Sequence, residues 1–447
     1  AEDDFTRVAL KAKAAKDYFL LVGPPGTGKT SCALKKMVET FHTDKDSQIL
    51  LLSYTNRAVD EISKALASIE PEIDFIRLGS ELSCDDSFRP YLIENVLEPC
   101  ATRRQVQERI ARCRVFVGTV ATLSSKTELF RLKTFDVAIV DEATQILEPQ
   151  LLGLLCTRNP AGADAIGKFI LIGDHKQLPA VVLQSSEQSE VCDEALQAIG
   201  LYNLKDSLFE RLYRNLSKES ANRQASTSHS SSFIPHPSYD MLCRQGRMNI
   251  EVALFPNRAF YGGLPHQQGE LTLAPELCDC EFAGLLTRRV AFLPAAVEPP
   301  AQSAKMNHSE ARIVARLAAA IYRQYAAVSG FNPAVTLGVI TPYRSQIALI
   351  KKEIAALGIA PLEDILVDTV ERFQGSERDV IIYSFCVNRA YQLKFLANMT
   401  EENGTRIDRK LNVALTRARR QMFMTGVPQL LKLNPIYAEL LSVVCHS

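Results

Sequence analysis

The sequence predicts an α/β protein of two lobes, each a parallel sheet flanked by helices, with a small helical insertion in the first lobe. Three observations carry this. A phosphate-loop pattern, Gly23-Pro24-Pro25-Gly26-Thr27-Gly28-Lys29-Thr30, follows an apolar run and opens a helical stretch. Apolar runs of strand length then alternate with amphipathic stretches along most of the chain. At 447 residues the chain is too long for one core and suits two or three domains. Such alternation indicates parallel strands, because each parallel connection needs a crossover, usually a helix.

Taken in order, Tyr18–Val22 reads as a buried strand. From Lys29 to about Phe41 the pattern is helical, with Ala33, Leu34, Met37 and Val38 near one face. Ile49–Tyr54 is a second strand, followed by a helix from about Arg57. Residues 80–114 are polar and Arg-rich, with helical patterning from about Pro90 to Cys113, which predicts the insertion. Strand patterns return at Val115–Val117, Val137–Val140 and Phe169–Ile172, and the first domain is expected to span 1–215. Residues 216–238 are rich in Ser, Asn, His and Pro, Ser226 and Ser228 among them, and read as a flexible linker or a docking segment. The second domain, 239–447, is expected to hold strands at Val335–Ile340, Ile365–Thr369, Val380–Phe385 and Gln421–Thr425. Its helices are expected near 308–325, 343–357 and 408–419.

Composition narrows the classes of function. The apolar fraction of 47% and charged fraction of 23% are those of a globular protein. With 51 basic and 51 acidic residues the net charge is zero, so any nucleic acid must be held by a local groove rather than a global field. Eleven cysteines are scattered without a CxxC pair, Cys278 and Cys280 being the one close pair. That excludes a zinc or iron–sulfur framework of the usual spacing and suits free thiols in a reducing cytoplasm. No stretch reaches membrane-spanning length and no signal-peptide core is present, so no membrane partner is expected. The chain begins at Ala1, as a fragment or a processed product would.

A strand, a Gly-rich turn and a helix N-terminus together aim backbone N–H groups at an anion. Gly23, Pro25, Gly26, Thr27, Gly28, Lys29, Thr30 and Ser31 are therefore expected to hold the triphosphate of ATP or another NTP. Lys29 would contact the β/γ-phosphates and the Thr30 hydroxyl would ligate Mg²⁺. The plainer alternative is a Gly-rich turn without a ligand. Asp141-Glu142 ends the run Val137–Val140, where ligands of open α/β sheets lie. Asp141 would hold Mg²⁺ through a water and Glu142 would act as the base on the lytic water; an acidic pair complementing a helix dipole is the alternative. Gln177, in Gly173–Pro179, could reach the γ-phosphate or that water, or belong to an ordinary turn.

The segments GPPGTGKT (23–30), SYTNRAVDEI (53–62), GT (118–119), VDEATQ (140–145), GDHKQLP (173–179), RQGRM (244–248), VDTVERFQGSERDVII (367–382) and LNVALTRAR (411–419) follow one another in the order of superfamily 1 helicase motifs. The chain resembles the branch that holds the nonsense-mediated-decay RNA helicases, senataxin-type helicases and replication helicase–nucleases. The resemblance implies two RecA-like P-loop NTPase domains with ATP bound between them, single-stranded nucleic acid across both, and 5′→3′ travel. It assigns Arg247 and Arg417 as arginine fingers that make hydrolysis depend on closure, with a solvated helix face as the alternative for Arg417. Glu377 matches a ribose-binding carboxylate and Gln374 a loop that senses nucleotide and touches the strand. Thr55, Asn56, Gly118 and Thr119 match positions that hold backbone phosphates. Thr341–Arg344 is a strand contact or a packing element.

The chain departs from the family pattern at the base-reading subsite. No Gln occurs in residues 1–47, Phe5 stands near the position of the adenine-reading Gln, and Gly246 replaces the stacking tyrosine. This predicts weak discrimination among NTPs, or a base read by other residues such as Phe5. Ala180 stands where a second proline is common. The β-barrel that precedes the phosphate loop in relatives does not fit in the 22 residues ahead of Gly23, and no PD-(D/E)xK pattern is present. A nuclease or accessory domain is thus expected outside these residues. The favoured function is an NTP-dependent helicase or translocase acting as a monomer on single-stranded DNA or RNA, the choice of strand being open. The alternatives are an NTP-gated strand clamp and an unrelated phosphate-loop enzyme such as a small-molecule kinase.

Overall fold

The computed structural model describes residues 3–225, 238–262, 282–299, 303–402 and 404–446. Two compact units divide the chain: Ala1–His175 with Pro179–Leu242, and Lys176–Leu178 with Cys243–Ser447.

In the first unit seven described strands form one parallel sheet. They are β1 (Tyr18–Val22), β2 (Ile49–Ser53), β3 (Phe75–Arg77), β4 (Val115–Thr119), β5 (Val137–Val140), β6 (Phe169–Gly173) and β7 (Tyr239–Met241), in the order β3-β4-β2-β5-β6-β1-β7. Neighbouring residues along each strand enter different cores. Leu20, Val22, Leu50, Leu52, Ala138 and Val140 pack on one face. Phe19, Leu21, Ile49, Leu51, Val137 and Ile139 pack on the other. Burial on both faces explains why the strands read as continuous apolar runs rather than alternating ones. The expected insertion at 80–114 consists of short helices, the longest being Arg103–Arg112, whose start is fixed by a capping box from Thr102 and Gln105.

In the second unit five described strands form a sheet in the order β10-β9-β11-β14-β8, parallel throughout. These are β8 (Val290–Pro294), β9 (Leu337–Ile340), β10 (Leu366–Asp368), β11 (Arg378–Ser384) and β14 (Ala418–Gly426). An antiparallel pair, β12 (Met399–Glu402) and β13 (Thr405–Asp408), precedes the helix Arg409–Leu415. The helix His308–Val328 lies on one face with Leu337, Val339, Val380 and Ile382.

The expected boundaries need correction at three places. Residues 216–225 are not linker but the end of the helix Leu208–Ala225, and 226–237 lie outside the described residues, as do Cys278 and Cys280. The division falls after Leu242 rather than at 239, because β7 pairs with β1 and completes the first sheet. The helix expected at 408–419 ends at Leu415, so Arg417 stands in the bend before β14 rather than on a helix face.

Candidate nucleotide and strand site

β1 ends where the phosphate loop begins, and Gly23 N–H donates to the Gly173 carbonyl at the end of β6 (2.9 Å). A Cβ at Gly23 would lie 2.2 Å from Lys29 Cγ, so the loop closes around the lysine stem only with glycine there. Gly26 and Gly28 hold φ of 74° and 76°, the left-handed region that glycine adopts without steric cost. The first helical turn, Lys29–Leu34, is wound wide, with Ala33 N–H reaching back to the Gly28 carbonyl (2.9 Å). Thr27 is held by its hydroxyl on the Pro24 carbonyl (2.7 Å), Pro25 is buried, and Ser31 is exposed beside Cys32. Lys29 Nζ folds back onto the carbonyls of Gly23 and Pro24, the latter at 3.3 Å.

β5 delivers the acidic pair to the same place. Thr30 Oγ1 donates to Asp141 Oδ2 at 2.5 Å, which joins the two expected Mg²⁺ ligands across 111 residues of sequence. Asp141 is almost fully buried, and burial pushes its carboxyl above the usual range, opposed by the Thr30 hydroxyl and the Lys29 charge. A hard oxygen pair with one buried carboxylate suits Mg²⁺, which completes its shell with phosphate oxygens and waters. These residues fit the ion. Glu142 has φ of 53°, a strained setting for a residue with a side chain, held by its N–H on Asp141 Oδ1 (2.9 Å) and by Gln145 Nε2 on Glu142 Oε2. Glu142 does not begin a regular α-helix, so the dipole-complement alternative loses its basis. Gln145 was not singled out in the sequence; its place three residues after Glu142 in a tight turn was the available signal.

The candidate strand-contacting residues of this unit meet at neighbouring strand ends. β2 and β4 pair with Ser53 opposite Thr119. Thr55 caps the helix Asn56–Ala67 by accepting from Ala58 N–H (3.2 Å). Thr119 caps the helix Val120–Ser125 through Thr122 N–H (3.1 Å). Gly118, the residue before Thr119, lies opposite Leu52. Two helix N-termini are thereby set side by side, with Asn56 in the first turn of one. Phe5, on the helix Asp4–Ala14, packs at the phosphate loop, its Cζ 3.5 Å from where a Cβ on Gly28 would be.

In the second unit Gln177, Arg247, Gln374, Glu377 and Arg417 form one polar cluster. Arg417 is 2% exposed, which removes the solvated-face alternative. Its Nε donates to the Val413 carbonyl (3.0 Å), its Nη1 to the Ser376 carbonyl (3.4 Å), and its Nη2 to Thr416 Oγ1 (3.1 Å) and Gln177 Oε1 (3.4 Å). Arg247 pairs with Glu377, which Arg419 also approaches at 3.5 Å. Glu377 is therefore engaged by two guanidinium groups, a pairing the motif did not announce. Gln374 Nε2 lies 3.5 Å from the Leu178 carbonyl. Tyr343 accepts from Gln392 Nε2 (3.1 Å) and precedes the helix Arg344–Ala355, so its hydroxyl has a packing partner.

Comparison with known proteins places this arrangement. Two family models, each described as an AAA domain, match residues 204–429 and residues 3–99 with 99–185. The chain is 30% identical to the DNA replication ATP-dependent helicase/nuclease DNA2 of Mus musculus, over 94% of this chain and 36% of that protein. It is 25% identical to the DNA polymerase alpha-associated DNA helicase A of Saccharomyces cerevisiae, over 95% of this chain and 64% of that protein. Among solved structures, the Arterivirus nonstructural protein 10 helicase complex with DNA is similar at 14% identity and a TM-score of 0.44, over 98% of this chain and 65% of that one. The chain thus spans about a third of the length of the mouse relative. Among the described residues no helix is long and apolar enough to cross a membrane.

Proposed function

The chain belongs to the AAA_11/AAA_12 domain family of the superfamily 1 helicase branch, and from that premise we propose that it is a nucleic-acid-stimulated NTPase, the motor of a helicase or translocase. The observation that carries this is the convergence of the phosphate loop, the Thr30–Asp141 pair and the constrained Glu142 at the carboxyl ends of β1 and β5. The loop's N–H groups would cradle the phosphates, and Lys29 would exchange two loop carbonyls for β/γ-phosphate oxygens. Thr30 and Asp141 would hold Mg²⁺, which supplies charge neutralisation on the phosphates when bound. Glu142, oriented by Gln145, would take the proton of the attacking water. Arg417 and Arg247 would supply guanidinium charge to the γ-phosphate in the hydrolysing state, with Gln177 orienting the water and Glu377 engaging the ribose.

Thr55, Asn56, Gly118, Thr119 and Gln374 would contact the strand's backbone, a sequence-blind role that small donors and helix N-termini suit. The mouse and yeast relatives are named for DNA, which favours DNA as the strand, and the mouse protein's name favours a nuclease as working partner; 5′→3′ travel rests on the motif resemblance alone. The eight cysteines whose side chains are described are free, in keeping with a reducing compartment such as the cytoplasm. A monomer suffices for this chemistry.

Steady-state NTP hydrolysis with and without single-stranded DNA and RNA tests the proposal, with Glu142→Gln as control. Manyfold stimulation by a strand, lost in Glu142→Gln, is expected. Negligible hydrolysis with strand affinity that still responds to nucleotide would replace the motor with an NTP-gated clamp.

A further inference from the structure

The helical stretch Ala390–Leu396 buries Gln392 and Leu396 and turns Tyr391 and Phe395 outward, 56% and 65% exposed, with Lys394 exposed beside them. Positions four apart share a helix face, so the two rings stand together. Their centroids are 6.4 Å apart and their planes cross at 85°. Two adjacent aromatic rings left in water forgo the burial that places most such rings inside.

Hydrogen bonds tie this stretch to a charged groove. Gln392 Nε2 donates to the hydroxyl of Tyr343, the neighbour of Arg344 (3.1 Å). Lys410 Nζ donates to the Phe395 carbonyl (3.4 Å) and pairs with Glu371 (3.2 Å). Arg344, Lys351, Asp368, Glu371 and Arg372 line the groove. Glu371 is neutralised by Lys410, and Asp368 lies 3.9 Å from Arg372. Among the described residues Arg344 and Lys351 have no acidic partner, so the groove has a positive surplus in a chain of zero net charge. Positive charge along a groove beside exposed aromatic faces is the combination that takes a single strand, phosphates in the groove and bases on the rings. A protein partner of apolar character would meet Lys394 and Lys410 instead of aliphatic neighbours.

We propose that Tyr391 and Phe395 form a base-stacking platform for single-stranded nucleic acid, with the adjoining phosphates held by Arg344 and Lys351. The site rests on the strand-binding function proposed above. The groove's Asp368, Glu371 and Arg372 belong to the motif segment 367–382, whereas neither Tyr391 nor Phe395 lies in a motif segment, so the motifs do not mark the aromatic platform.

The test measures affinity for a fluorescent oligonucleotide of about 20 nucleotides, and for an abasic oligonucleotide of the same length, across salt concentrations. Deoxyribo- and ribo-oligonucleotides are used in parallel to identify the preferred strand. The double variant Tyr391→Ala/Phe395→Ala is expected to bind the base-bearing strand about tenfold or more weaker, with abasic binding and salt slope unchanged. Tyr391→Trp/Phe395→Trp should restore affinity, because stacking needs only a π-face. Arg344→Ala/Lys351→Ala should weaken both strands and lower the salt slope by about 1.4. Nucleotide binding, together with the far-ultraviolet circular dichroism spectrum, reports that each variant is folded. Equal affinity of the double-Ala variant and the unaltered chain for the base-bearing strand overturns the platform and leaves the rings to a protein partner. Failure of the unaltered chain to bind any strand overturns the platform and the strand-dependent function together.

Discussion

At the scale of single residues, identity and setting make separate demands. Lys29, Thr30, Asp141 and Glu142 were legible because phosphate chemistry tolerates few alternatives at their spacing. The left-handed backbone of Glu142 and its support from Gln145 were not, because residue letters inside the motif do not fix the turn that brings Asp141 and Gln145 onto Glu142. Arg417 shows the same division: its type was readable, while its burial among the carbonyls of Val413 and Ser376 was not. Lysine cannot reproduce that planar fork. Arg417→Lys is therefore expected to lower kcat by about 10³ while leaving nucleotide affinity nearly unchanged, as single-turnover kinetics and a nucleotide titration would show. A loss of only a few-fold would mean that Arg417 holds the loop rather than the reaction. Phe5 belongs to this scale too. Its ring beside Gly28 offers a stacking face but no hydrogen-bond code, so kcat/KM for ATP, GTP and CTP should agree within about tenfold. A large ATP preference would show that another residue reads the base edge.

At the scale of elements, length and burial governed what could be read. Strands buried on both faces, such as Ile49–Ser53 and Val137–Val140, announced themselves as unbroken apolar runs. Two three-residue strands did not: Phe75–Arg77 and Tyr239–Met241 carry no distinct pattern and exist because a neighbouring strand supplies hydrogen-bond partners. Tight packing leaves its own mark at Gly338 in β9, where a Cβ would lie 2.7 Å from Phe373 Cε1. Gly338→Ala is expected to destabilise the second unit by about 1–3 kcal/mol through overpacking. Denaturant unfolding measures this directly, and an unchanged midpoint would mean that the Phe373 ring can withdraw at no cost.

At the scale of the whole molecule, buried charge sets a dependence on pH. Glu310 is enclosed, accepts from Ser384 Oγ (2.6 Å) and Cys386 N–H (2.9 Å), and is pushed up to about 7 by burial. A carboxyl with a raised native pKa binds its proton more tightly when folded. Its contribution to stability is complete below the unfolded value near 4.5 and is lost as pH rises through about 7. The difference in Tm between the parent chain and Glu310→Gln should therefore change across that window and be flat above it; a constant difference would refute the burial account. By itself the sequence determined the fold class, the phosphate-loop motif and the order of the motifs, because local pattern is written in adjacent residues. Only the tertiary structure decided where the first sheet ends, which groups hold Glu142 and Arg417, and that Tyr391 and Phe395 stand beside a basic groove. The sheet edge, the hold of Ser376 and Gln177 on Arg417 and the surroundings of the aromatic pair depend on contacts between residues far apart in the chain, which no local pattern encodes. The hold on Glu142 depends on a turn geometry that its own letters do not fix.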